Sequence, residues 1–151
     1  MGMRRKSREI ALQALFYADM SKNDSKEVVE LFCDNFINSN NNLTFFLKLV
    51  TGVIDSRLEI DSIIEKFSSN WKISRMSCVD RNIIRLALFE LIFCDDIPSK
   101  VSINEAVDIG KKFGTRESGA FINGILDSIY IALQNGKIKN HKKEIYFITK
   151  E

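Results

Sequence analysis

The stretch KKFGTRESGAFINGILD, Lys111–Asp127, decides the fold. It reads either as a loop that holds phosphate or a nucleophile, or as the corner between two helices. The corner reading gives most of its residues a task. Gly114 suits a helix C′ position, where glycine takes the left-handed conformation without penalty. Thr115 suits the N-cap that follows, and Glu117 the first turn, where a carboxylate meets the positive helix end. Phe121, Ile122, Ile125, Leu126 and Ile129 then mark one apolar face. Ala120, Gly124, Ser128 and Ala132 recur every fourth residue, a small-residue ridge along which another helix can approach closely. The reactive readings lack parts. GTRESG has no G-K-[ST] ending and no strand before it, so it is not a phosphate loop of the Walker type. Ser118 is not set in G-x-S-x-G, and the single histidine, His141, lies in a charged tail, far from any triad.

Outward from this corner, apolar spacing is helical nearly everywhere and no strand pair emerges. Residues 7–20 leave only a narrow polar stripe of Lys6, Glu9 and Gln13. Their apolar coverage predicts a central helix that holds Arg4–Arg8 at its N-terminal end. Asp24 with Glu27 has capping-box spacing ahead of Val28, Leu31, Phe32 and Phe36. Ser39–Asn42 reads as a loop, and Leu43–Phe67 as one helix bent near Gly52. The polar break SSNWKISRMS separates two lobes, with Trp71 packing into the junction. Ser77 with Asp80 starts a helix over Val79–Cys94 that Asp95-Asp96-Ile97-Pro98 ends. Ser102 with Glu105 starts a short helix to Phe113, and the last helix runs from about Thr115 to Gln134. The fold class is therefore all-α: a compact bundle of about six or seven helices in two sub-bundles, about 1–70 and 71–136. These form one domain, 1–136, followed by a basic tail, 137–151.

Composition agrees with one soluble domain: 151 residues, 45% hydrophobic, 28% charged and a single proline. No apolar run reaches the roughly 18 residues of a membrane span, and no signal-peptide core follows the basic start. The expected location is cytoplasmic. Cys33, Cys78 and Cys94 lack metal-ligand spacing, so buried thiols, no metal and no cofactor are expected. The net charge of +2 is uneven. Arg4, Arg5, Lys6 and Arg8 against Glu9 give the start +3, and five lysines against Glu144 and Glu151 give the tail +3, leaving −4 between. Positive ends on a helical body with no catalytic constellation point to binding a polyanion. Lys111, Lys112 and Arg116 add charge beside a helix N-terminus.

Three segments resemble the NusB family of bacterial transcription antitermination factors: RRKSREIALQALFYAD (Arg4–Asp19), VDRNIIRLALFEL (Val79–Leu91) and VSINEAVDIGKKFGTRESGAFINGILD (Val101–Asp127). The resemblance runs in order over most of the chain; Ser21–Phe67 and the tail after Gln134 lack distinctive matches. It implies a non-enzymatic, all-helical protein, monomeric or dimeric when free. Such a protein binds the boxA element of ribosomal RNA together with NusE, a small-subunit ribosomal protein, within an RNA polymerase antitermination complex.

By position, the resemblance carries RNA binding onto Arg4, Arg5, Lys6 and Arg8, onto Arg116, Glu117 and Ser118 of the turn, and onto Phe121; Lys111 and Lys112 join this surface by their charge beside the turn. It carries the NusE-facing side onto Asp80 and Arg81, although Asp80 reads equally as a helix-capping residue. Arg85 and Glu90 read as structural, Asn104 and Glu105 as capping residues, and Asn123 as a buried side chain with a local partner. Ala120 departs from the basic residue common in the family before the aromatic. Two other readings stay open: an accessory domain for ribosomal RNA methylation, and a protein-interaction module without RNA affinity. On the main reading, replacing Arg4, Arg5 and Arg8 with alanine weakens RNA binding and leaves the fold intact.

Overall fold

The computed structural model describes residues 3–22, 26–33, 40–69 and 71–138, and every regular element among them is helical. In order these are α1 (Met3–Ser21), α2 (Lys26–Cys33), α3 (Asn40–Asp55), α4 (Arg57–Phe67), a 3-10 turn (Ile73–Arg75), α5 (Cys78–Phe93), α6 (Ser99–Phe113) and α7 (Ser118–Gln134). The expected Asp24 cap and most of the basic tail, residues 139–151, lie outside the described residues.

α5, not α1, occupies the centre. It is buried from Asp80 to Ile92 except at Arg81, and it packs against α1, α3, α4, α6 and α7. Each fully buried Ile or Leu there contributes about 1.5–3 kcal/mol. α1 runs beside it and leaves Phe16, Tyr17 and Met20 exposed, so the apolar coverage of α1 is only partly spent on the core. Ser77 caps α5 as its spacing predicts, its hydroxyl accepting the Asp80 N–H at 3.0 Å.

Several boundaries differ from the sequence expectation. α3 begins at Asn40, inside the expected loop. The long helix breaks at Ser56 rather than Gly52. Gly52 instead lies against Phe89, whose ring a Cβ would overlap. α6 starts at Ser99 behind an extended Pro98, so Ser102 falls inside the helix and cannot cap it. Its hydroxyl is buried and donates to Glu90 Oε1 at 2.7 Å. Exposed Asn104 and ion-paired Glu105 likewise fall past the cap position.

A polar network ties α1 to α4 and α5. Buried Arg85 donates to both Asp61 oxygens at 2.8 and 3.0 Å and to Asp19 Oδ2 at 3.0 Å. Arg81 and Asn82 meet the same Asp19 oxygen at 2.7 and 3.0 Å. Burial works against the Asp19 charge, but Arg81, Asn82 and Arg85 outweigh it and hold the carboxyl well below its ordinary range. None of the three cysteines is in a disulfide; Cys94 is buried, while Cys33 and Cys78 are half-buried. Among the described residues no helix is long and apolar enough to cross a membrane.

Candidate nucleic-acid interface

The α6–α7 corner is a helix–turn–helix, but its glycines work by size rather than by handedness. Gly114 is extended (φ −95°, ψ −159°), not left-handed, and its N–H donates to Gly110 O at 2.8 Å. A Cβ on Gly114 would overlap the Ser118 hydroxyl and come 2.8 Å from Gly110 O. A Cβ on Gly119 would stand 3.1 Å from Lys111 Cγ, so this glycine makes room for the lysine stem. α7 starts at Ser118 rather than Thr115. The Ser118 hydroxyl, buried, accepts the Thr115 N–H at 2.8 Å and closes the turn. Ser118, expected at the RNA surface, is thus a turn-closing residue. Further along α7, Ala120, Gly124 and Ser128 are exposed, and nothing lies within 4 Å of a Cβ built on Gly124. Those three residues are not an interhelical ridge, and Asn123 is exposed rather than buried.

The arginine-rich start is not an open cationic face either. Arg8 is buried and donates to both Glu90 oxygens at 2.8 and 2.9 Å and to Glu105 at 3.2 Å. Burial opposes its charge, yet Glu90 and Glu105 outweigh that and raise its pKa above the ordinary guanidinium value. Arg5 donates to Glu105 at 2.7 Å and to Asp108 at 3.0 Å. The Glu105 bond chiefly raises the Arg5 pKa, and Arg5 in turn lowers that of Glu105. Arg4 pairs at the surface with Asp96 at 2.8 Å, and its guanidinium stands 4.9 Å from the Phe45 ring centroid. Arg8, expected to touch RNA, therefore locks α1 to α5 and α6 (a buried pair of this kind fixes position more than it adds stability).

The same pairs fix where the two basic segments lie. Arg5 meets α6 at Glu105 and Asp108, and one turn on Glu9 accepts from Lys112 Nζ at 3.1 Å. Arg4–Arg8 and the corner therefore share one seam, with carboxylates along it. Lys6, Lys111 and Arg116 are exposed and make no ion pair with a described residue; Glu117 is exposed beside them. Phe121, half-buried one turn into α7, meets Trp71 edge-on, with ring centroids 6.1 Å apart. Trp71 does not pack into the junction as expected; it is 51% exposed, and sequence reasoning did not mark it as a site residue.

A second surface lies nearby. Leu12, Phe16, Tyr17, Phe32, Val79 and Phe113 line an open apolar groove of about 380 Å³. It escaped the sequence reading because apolar residues on all sides of α1 resemble burial rather than a docking face. Beside Val79, Asp80 is buried, and its Oδ1 has no hydrogen-bond partner among the described residues. Arg81 is engaged by Asp19 and by the Met76 carbonyl at 3.2 Å. Arg85 and Glu90 are structural, as read from sequence. Among the described residues no group of three or more His, Cys, Asp or Glu side chains could hold a metal ion.

Comparison with known proteins agrees with the fold and the segments quoted above. The NusB family model matches residues 5–130. The transcription antitermination protein NusB of Desulfatibacillum aliphaticivorans is 54% identical over 144 residues, covering 95% of this chain and 99% of that one. Its counterpart in Desulforapulum autotrophicum is 56% identical over 133 residues, 87% of this chain and 93% of the relative. Among solved structures, T. maritima NusB superposes with a TM-score of 0.79 at 33% identity, over 95% of this chain and 96% of that one. A chain from the complex of antitermination factors NusB and NusE with dsRNA gives 0.79 at 32% identity, over 87% and 98%.

Proposed function

The chain belongs to the NusB family, and from that membership and the geometry of its surfaces we propose that it is a transcription antitermination factor. It binds boxA RNA of ribosomal RNA operons together with the ribosomal protein NusE, within an antitermination complex on RNA polymerase in the cytoplasm. Its role is binding rather than catalysis. The observation that carries this reading is the presence of two separate surfaces of different chemistry. One is the seam of α1 and the α6–α7 corner, where exposed Lys6, Lys111 and Arg116 make no ion pair with a described residue. The other is the apolar groove lined by Phe16, Tyr17 and Val79, next to Asp80 in the chain.

Each surface suits one partner. Phosphates are met by Lys6, Lys111 and Arg116, and by Arg4 when it leaves Asp96; such contacts hold RNA without reading its sequence. Single-stranded bases are read by stacking and by their exposed edges. NusE covers Phe16, Tyr17 and Val79 on the side of Asp80 and Arg81, where buried apolar area supplies affinity. Titration of labelled boxA RNA with and without purified NusE tests this reading. NusE is expected to tighten RNA binding in the native chain, and Phe16→Asp to abolish that gain while leaving the chain's own RNA affinity intact. No RNA binding under either condition, or a NusE effect that survives Phe16→Asp, would overturn it.

A further inference from the structure

We infer that Trp71 and Phe121 form a stacking platform for an unpaired RNA base, with Trp71 supplying the open face. This rests on the RNA reading above and assigns part of its base recognition to a residue outside the cationic turn. An indole is a large apolar surface and is ordinarily buried, yet Trp71 is half exposed. Among the described residues its ring meets Phe121 edge-to-face, at 70° between ring planes. In that arrangement Phe121 covers at most one indole face, and about half of the Trp71 surface is open to solvent.

The exposure is built rather than loose. The Trp71 N–H donates to Ser68 O at 3.2 Å, and its carbonyl accepts from the buried Ser68 hydroxyl at 2.6 Å. Two residues on, the Ile73 N–H donates to Glu65 at 2.9 Å. Ser69 is held at φ +52°, a left-handed conformation that a serine adopts only when its surroundings impose it. The backbone of Trp71 is thus pinned to the end of α4, with its side chain half exposed. Exposed cations lie close by in the chain: Lys72 and Arg75 follow Trp71, and Arg116 stands five residues before Phe121, with Glu65 and Glu117 as the acidic neighbours. An aromatic platform beside positive groups fits the bases and phosphates of a single strand. A protein partner would need a broader apolar surround, of the kind the α1 groove supplies on the other surface.

Trp71 is the only tryptophan of the chain, so its emission reports this site alone. The native protein is titrated with single-stranded boxA RNA, following Trp71 fluorescence and, in parallel, the anisotropy of dye-labelled RNA. The expected result is quenching that saturates in step with anisotropy. Trp71→Ala is expected to weaken binding about five-fold or more, and Trp71→Phe to keep most of the affinity. Saturating anisotropy with unchanged Trp71 emission would overturn the stacking role while leaving RNA binding standing. Emission that responds to NusE but not to RNA would assign the platform to a protein partner and overturn it as well. An absence of any anisotropy change would defeat both readings. The native titration is decisive even if Trp71→Ala does not fold.

Discussion

Lys6 and Arg8 lie two residues apart on α1, but only one of them is free to meet a ligand. Truncating Arg8 would strand the Glu90 carboxylate in the core without its cation, with only the Ser102 hydroxyl still donating to it. Breaking one side of a buried pair costs about 3–5 kcal/mol, so Arg8→Ala is expected to lower urea stability by about that much. Lys6→Ala is expected to stay within about 0.5 kcal/mol of native stability. This reverses the sequence expectation that the Arg4, Arg5 and Arg8 replacements leave the fold intact. Asp19 gives a pH test. Its carboxyl is held below the ordinary range by Arg81, Asn82 and Arg85, so the folded state binds fewer protons than the unfolded chain. The resulting stability is present above the ordinary Asp value, about 3.9, and drains away as pH falls below it. Asp19→Asn is expected to flatten the fall in urea stability below about pH 4. An unchanged slope would show that the network does not couple to folding.

At the level of elements, two glycines of one motif are expected to respond with opposite sign. Gly114→Ala drives a methyl into the Ser118 hydroxyl and breaks the turn closure to Thr115, at about 1–3 kcal/mol. Gly124→Ala meets open space on an exposed stretch of α7 and is expected to stabilise by about 0.5–1 kcal/mol. Thermal melts of the two variants check both signs. The corner itself was legible in the sequence, because glycine, turn residues and an apolar 3.6-residue period agree there. The reason for Gly114 was not: local spacing cannot separate a need for positive φ from a need for space, which depends on the Ser118 rotamer four residues on. The Ser77 cap could be read because it is a local hydrogen bond. Ser102 and Glu105 have the same spacing, yet Pro98 starts α6 earlier and long-range partners, Glu90 and Arg5, claim their side chains.

For the molecule as a whole, we propose that the expected sub-bundles, about 1–70 and 71–136, unfold as one unit. The buried side chains form one cluster, and α5 packs against helices from both parts. Urea transitions followed by Trp71 fluorescence and by helical circular dichroism are expected to coincide; separate midpoints would show two cooperative units. The helical class could be read from periodicity alone, whereas the packing order could not. α1 and α5 are both apolar around most of their circumference. Only the tertiary arrangement decides which is central and which keeps a face for a partner. Charge counting misled for a similar reason: Arg5 and Arg8 find Glu105 and Glu90, about a hundred and about eighty positions away. Those carboxylates reduce the start of the chain to Lys6 and an exchangeable Arg4.

The most direct test of the cationic seam is the salt dependence of boxA RNA binding in native protein and in Lys111→Ala and Arg116→Ala. With three to four phosphate contacts at about −0.7 each, log K is expected to fall with log salt at a slope between about −2 and −3, and each substitution to reduce its magnitude by about 0.7. A flat dependence, or slopes that both substitutions leave unchanged, would contradict the assignment of the RNA surface to these groups.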